Sequence, residues 1–148
     1  MKNNENHIFI DTNCLISYLA DKYGLRKNKS EENTIALRFL IGLNGKKLYI
    51  SSLSIAQLTA TLQKKIGADN VTKEVSQLLH RFNIVEFNEN DIKAALNCKL
   101  AQDIEDLYQY EMSQKVKCFY VMTNNLRDFS SLANIVAFPP QKVRKIIF

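Results

Sequence analysis

Two acidic stretches, far apart in the chain, carry the residues best suited to chemistry. Asp11 directly follows the apolar run Ile8-Phe9-Ile10, and Asp103-Ile104-Glu105-Asp106 comes much later. Asp103 and Asp106 stand three apart, which on an α-helix places both on one face and turns Glu105 about 100° away. Like charges on one face repel, and no lysine or arginine is interleaved to relieve them. Such a pair invites a hard, oxygen-preferring cation, Mg²⁺ or Mn²⁺. A third polar group, Thr123-Asn124-Asn125, follows the apolar run from Cys118 to Met122, with Asp128 three residues further on. Each of these also has a duller role open to it. Asp11 and Asp103 suit helix caps, Asn124 and Asn125 suit turns, and Asp128 suits a turn start before Ser130 and Ser131.

Other metal chemistries find less support. His7 and His80 have no ligand-type partner at helical spacing. Cys14, Cys98 and Cys118 form an odd set with no C-x-x-C spacing, which argues for buried free thiols over a disulfide framework or a structural zinc.

Positioning these groups requires strands that deliver them to a common edge. His7–Ile10 has a strand's β-branched and aromatic character and runs into Asp11-Thr12-Asn13, a helix start whose apolar face is Leu15, Ile16, Tyr18 and Leu19. Gly24 and the basic run from Arg26 to Lys29 end that helix, and a second spans Glu31–Leu43 up to Asn44-Gly45. Leu48–Ile50 is a second strand, with Ser51 and Ser52 as caps for a helix reaching Ile66. A helix over Val71–Arg81 precedes a strand over Ile84–Phe87. Asn88 or Asn90 then opens helices running from Asp91 to Gln114, ahead of the strand Cys118–Met122. A last short strand covers Ile135–Ala137, and Pro139-Pro140 leads into a terminal helical turn. This alternation predicts an α/β fold: a three-layer α/β/α sandwich with a central, mostly parallel sheet, whose ligands bind beyond the carboxyl ends of the strands.

A chain of 148 residues, 46% hydrophobic and 24% charged, has the size and composition of a single domain spanning residues 1–148. No apolar stretch approaches the roughly 20 residues that cross a membrane, so the expected location is cytoplasmic, with no membrane partner. The net charge of +5 favours a polyanionic partner. Its basic residues gather at Lys22, Arg26, Lys27 and Lys29, at Lys64 and Lys65, and at Lys142, Arg144 and Lys145. Any one of these clusters is equally well explained as solvated surface.

In their joint order, Ile8-Phe9-Ile10-Asp11-Thr12-Asn13, Asp103-Ile104-Glu105-Asp106 and Val121-Met122-Thr123-Asn124-Asn125-Leu126-Arg127-Asp128-Phe129 resemble the PIN-domain family, over nearly the whole chain. The resemblance implies a metal-dependent ribonuclease, often the toxin of a type II toxin–antitoxin pair, with a tendency to homodimerise. It would make Asp11 and Asp106 the metal ligands, Asp103 an accessory acid on the same rim, and Asn125, with Asp128, the match to the fourth motif. Asn13 and Thr123 would orient the carboxylates. One position departs from the family's pattern, since Gln57 in Ser54-Ile55-Ala56-Gln57-Leu58 stands where a glutamate is normal. An amide oxygen can touch Mg²⁺, but the swap removes a full charge from the site.

Three readings follow. In the first, the metal activates a water against a scissile phosphate, Asn125 positions water or phosphate, and Lys22, Arg26 and Lys27 track the RNA backbone. In the second, Gln57 marks a PIN-like RNA- or partner-binding module with impaired or no cleavage. The third, a phosphoacceptor receiver domain, fits poorly. Such domains need adjacent acids after the first strand, and Asp11 stands alone.

Overall fold

The computed structural model describes residues 2–26, 31–98 and 103–147. Five strands, β1 (Asn4–Ile10), β2 (Lys47–Ser51), β3 (Asn83–Val85), β4 (Cys118–Met122) and β5 (Val136–Phe138), form one sheet. Their order is β3-β2-β1-β4-β5, and every neighbouring pair is parallel. The helices are α1 (Thr12–Lys22), α2 (Glu32–Ile41), α3 (Ser52–Ile66), α4 (Ala68–Arg81), α5 (Glu89–Asn97), α6 (Ile104–Lys115), α7 (Leu126–Phe129) and α8 (Val143–Ile147). A 3₁₀ turn over Pro140–Lys142 precedes α8.

Side-chain alternation along β1 builds the layers. Ile8 and Ile10 enter one buried cluster with Leu15 and Leu19 of α1, Leu37 and Leu40 of α2, Leu58 and Leu62 of α3, and Leu78 of α4. Phe9 points the opposite way, into a second cluster with Ala95 of α5, Leu107 and Met112 of α6, and Phe129 of α7. A sheet buried on both faces needs strands that are apolar at consecutive positions, and β1 supplies them. The expected three-layer α/β/α sandwich is therefore the observed fold.

Element boundaries shift for tertiary reasons. β1 starts at Asn4, ahead of the expected His7, because Asn4 pairs with Cys118 and its N–H donates to Lys117 O at 2.8 Å. β3 stops at Val85, short of the expected Phe87. The Phe87 N–H bonds Ser52 Oγ at 2.9 Å and Glu86 O accepts from Lys115 Nζ at 2.6 Å, so side chains take the groups a longer ladder would have used. α4 begins at Ala68, ahead of the expected Val71, since Gly67 at φ 86° turns the chain directly from α3 into α4. The expected helical stretch from Asp91 to Gln114 comprises α5 and α6, and residues 99–102 between them lie outside the described residues.

β1 is central, flanked by β2 and β4, so Asp11, Ser51 and Thr123 leave three adjacent strands at one carboxyl edge. α6 lies beneath that edge and brings Asp106 to it.

Candidate metal centre

Asp11 is the N-cap of α1, as a cap-only reading expects, but the cap consumes only one oxygen. Oδ1 accepts the Thr12 N–H at 2.9 Å, while Oδ2 accepts from Thr123 Oγ1 at 2.7 Å and from Asn13 Nδ2 at 3.0 Å. The carboxyl is 3% exposed, and burial raises its pKa; the Thr123, Thr12 and Asn13 donors offset part of the rise, and the Glu105 charge adds to it. Thr123 in turn accepts the Asn125 N–H at 2.9 Å, and Asn13 Oδ1 accepts the Asn124 N–H at 3.1 Å. The turn after β4 is thus bolted to the exit of β1.

Asp106, in the first turn of α6, is buried beside this turn. Its Oδ2 accepts from Asn125 Nδ2 at 2.6 Å, and the same amide donates to Asp128 Oδ2 at 2.8 Å. Asn125 therefore bridges two neighbouring carboxyl groups with neutral hydrogens. Its donors are spent, so it fixes Asp106 in place. Burial first, then the Asp11 charge, hydrogen bonding with Asp128, and the charges of Asp103 and Asp128 push the Asp106 pKa up to about 7. No cation among the described residues pairs with either acid.

Asp11, Asn13, Gln57, Glu105 and Asp106 line an open cavity of about 360 Å³, together with Ile16 and Thr61 among others. Asp103 does not line it. It is the N-cap of α6, at extended φ −61° and ψ 134°, and its Oδ1 accepts the Glu105 N–H at 2.9 Å. The three-residue spacing expected to put Asp103 and Asp106 on one face applies only inside a helix, and Asp103 sits one residue before it. Glu105, expected to point elsewhere, lines the cavity in its place.

Gln57 is built into a buried polar network that residue patterning did not reveal. Ser51 Oγ donates to Gln109 Oε1 at 2.9 Å, and Gln109 Nε2 donates to Thr12 Oγ1 at 2.8 Å and Ser54 Oγ at 3.1 Å. Thr12 Oγ1 donates to Gln57 Oε1 at 2.9 Å. The Thr12 and Ser54 hydroxyls lie 2.6 Å apart, and with the Thr12 proton committed to Gln57, Ser54 supplies that bond's hydrogen. The amide oxygen of Gln57 is thereby engaged inside the protein. Ligating a cation through it requires giving up the Thr12 bond. Gln109, 2% exposed, ties α6 to α1, β2 and α3; its only sequence signal is a glutamine three residues after Asp106, on the same helix face.

The basic residues lie elsewhere. Lys22 ends α1, about 16.5 Å along the helix axis from Asp11 at 1.5 Å per residue, and pairs with the buried Glu74 of α4 at 2.5 Å. Arg26 approaches Asp21 at 3.8 Å, and Lys27 lies outside the described residues. Cys14, Cys98 and Cys118 are free thiols, the first and last buried.

The donor chemistry fits a hard divalent ion of the Mg²⁺ type. Among the described residues no group of three or more His, Cys, Asp or Glu side chains is arranged to hold a metal. Mg²⁺ does not require one, because it keeps several waters and takes one or two carboxylates together with substrate phosphates. Asp11 and Asp106, both short of positive partners, supply that number.

Comparison with known proteins agrees with this architecture. A PIN-domain profile matches residues 8–135. No curated protein sequence matches the chain. Among solved structures, VapBC2 from Rickettsia felis, bound to a promoter DNA fragment, superposes with a TM-score of 0.64 at 18% identity, covering 90% of this chain and 98% of that one. DNA-bound VapBC from Salmonella typhimurium gives 0.61 at 22% identity, covering 95% and 99%. VapC20 from Mycobacterium tuberculosis, a sarcin-ricin-loop-cleaving toxin, gives 0.60 at 10% identity, covering 86% and 98%. At such identities the superpositions show a shared fold.

Proposed function

Because the chain belongs to the PIN-domain family, we propose that it is a divalent-metal-dependent ribonuclease, acting in the cytoplasm as the toxin of a toxin–antitoxin pair. The observation that carries this reading is the meeting of Asp11 and Asp106, from distant parts of the chain, at one cavity where burial and then the neighbouring acids push the Asp106 pKa up to about 7. Residues 1–148 act as one domain. Toxin–antitoxin complexes among the similar structures support a protein partner, and the +5 charge supports RNA as substrate. A homodimer is the proposed assembly.

When bound, Mg²⁺ or Mn²⁺ supplies an activated water and offsets charge on the leaving oxygen. Asp11 and Asp106 hold the ion. Thr123 and Asn13 fix the Asp11 carboxylate from one side, Asn125 and Asp128 fix Asp106 from the other, and Glu105 extends the acidic rim. Asp103 anchors the start of α6 and adds its charge at Asp106. Lys22, Arg26 and Lys27 serve any RNA running along α1, though Lys22 must first share its charge with Glu74.

A second reading has its own observation. Gln57 lacks the charge of the family's glutamate, and its amide oxygen is bonded to Thr12, which favours an RNA- or partner-binding module with impaired cleavage. Mn²⁺-dependent cleavage of a mixed RNA pool by wild type, Asp11→Ala and Gln57→Glu separates the two. The ribonuclease reading expects cleavage by wild type, its loss in Asp11→Ala and a gain in Gln57→Glu. Silence from all three rejects it.

A further inference from the structure

Among the described residues, no lysine or arginine lines the cavity that Asp11 and Asp106 share. A phosphate entering it depends on the bound ion for charge and on neutral N–H or O–H groups for direction. Most such groups are already used. Thr12 donates its hydroxyl proton to Gln57 Oε1, and the Thr61 hydroxyl is turned back to the Gln57 main-chain oxygen at 2.9 Å. Asn13 Nδ2 donates to Asp11, and Gln109 Nε2 donates to Thr12 and Ser54. Gln57 is half-buried, and its Nε2 donates to no group among the described residues and is open to the cavity.

Which end of that amide faces the cavity is fixed from behind. Ser51 Oγ accepts the Ser54 N–H at 3.0 Å and donates to Gln109 Oε1, so Gln109 turns its Nε2 toward Thr12 and Ser54. That nitrogen stands 3.5 Å from the inward atom of Gln57. An NH₂ there would set donor against donor, whereas an oxygen is attracted, so the oxygen lies inside and the NH₂ faces out. A glutamate in this place would turn an anionic oxygen toward a cation. Gln57 turns out hydrogens instead, which repel a cation and attract an anion.

We infer that Gln57 is a substrate-binding residue, its Nε2 donating to a non-bridging oxygen of the phosphate that the ion draws into the cavity. The inference rests on the metal-centre reading and deepens it, making Gln57 a contact to the anion and not a weakened metal ligand. A base carbonyl is the other acceptor an amide could meet, but the ion held by Asp11 and Asp106 recruits phosphate to this wall. A neutral amide bonded to a charged oxygen, open to water on one side, contributes about tenfold in affinity.

The test reads binding without turnover, by calorimetry on the full chain: Mg²⁺ first, then uridine 5′-monophosphate or uridine added to the Mg²⁺-saturated protein. Gln57→Glu keeps the inward oxygen for Thr12 and replaces only the outward NH₂. It is expected to bind Mg²⁺ more tightly and the nucleotide more than about tenfold more weakly, so a gain in its cleavage would come with a raised KM. Gln57→Met, which has no donor, should leave Mg²⁺ affinity unchanged and weaken the nucleotide about tenfold, while Asp106→Asn loses Mg²⁺. Uridine, which offers base carbonyls alone, should not distinguish Gln57→Met from wild type. The inference is overturned if Gln57→Met weakens Mg²⁺ binding, if either variant keeps the wild-type nucleotide affinity, if Mg²⁺-loaded wild type binds no nucleotide, or if uridine alone reproduces the Gln57 effect. Absence of RNA cleavage with the expected binding pattern intact rejects the ribonuclease reading and leaves the assignment of Gln57 standing.

Discussion

Replacing Asp106 by asparagine should make the metal-free protein more stable at alkaline pH while removing its metal response. The amide keeps the local bonds: its oxygen still accepts from Asn125 Nδ2, and its NH₂ faces Asp128. It deletes the ionisation that the site opposes. With a folded-state pKa of about 7 against an ordinary 3.8, the carboxyl is neutral in both states at low pH, and the folded state holds the extra proton in between. Stability from this group is therefore fully present below about pH 4 and is lost as pH rises through 7. The pKa gap, at about 1.4 kcal/mol per pKa unit, sets a ceiling of about 4 kcal/mol. The cavity is open to water, so screening reduces this to about 2 kcal/mol. For a chain of this size that is a rise in Tm of about 4 to 8 °C. Thermal melts of both proteins in chelator should diverge at about pH 8 and converge near pH 4. Adding Mn²⁺ should then raise the wild-type Tm and leave the variant unmoved. A variant no more stable than wild type at high pH would show that the carboxylate is not held against its preference, and the metal-centre reasoning would fail with it.

Thr123→Val removes the hydroxyl shared by Asp11 Oδ2 and the Asn125 N–H; it should cost about 1 to 3 kcal/mol in denaturant unfolding and raise the Asp11 pKa further, visible by carboxyl NMR. Gln109→Leu strands the Ser51 and Thr12 hydroxyls in the interior, so a loss of about 2 to 4 kcal/mol is expected; a neutral result would mean that water or rotation rescues the network. Lys22→Met leaves Glu74, 2% exposed, without its cation. Because Lys22 itself is partly solvated, about 2 kcal/mol of destabilisation is expected in urea titration, and unchanged stability with weakened RNA binding would assign the lysine to RNA instead.

Much of this protein is legible in one dimension. Strand and helix periods are local, so the apolar runs ending at Ile10, Ile50 and Met122 announced parallel strands, and Asp11, Ser51 and Thr123 announced the edge where they end. The convergence of Asp11 with Thr123 and of Asp106 with Asn125 followed from that topology. What local pattern could not convey depended on where backbones stop and which distant atoms meet. Asp103 looked helical by spacing, yet the helix begins one residue later, which makes it a cap and brings Glu105 to the cavity instead. Gln109 looked like any polar helix residue until folding placed it against Thr12, Ser51 and Ser54. Asp21 carried no signal at all, because being buried without a hydrogen-bond partner among the described residues is a property of packed helices and of no single one. Residue order determined the fold class and the acidic edge, through short-range periodicity; packing alone decided which polar groups are satisfied, since hydrogen bonds and desolvation depend on neighbours that the chain brings together only once folded.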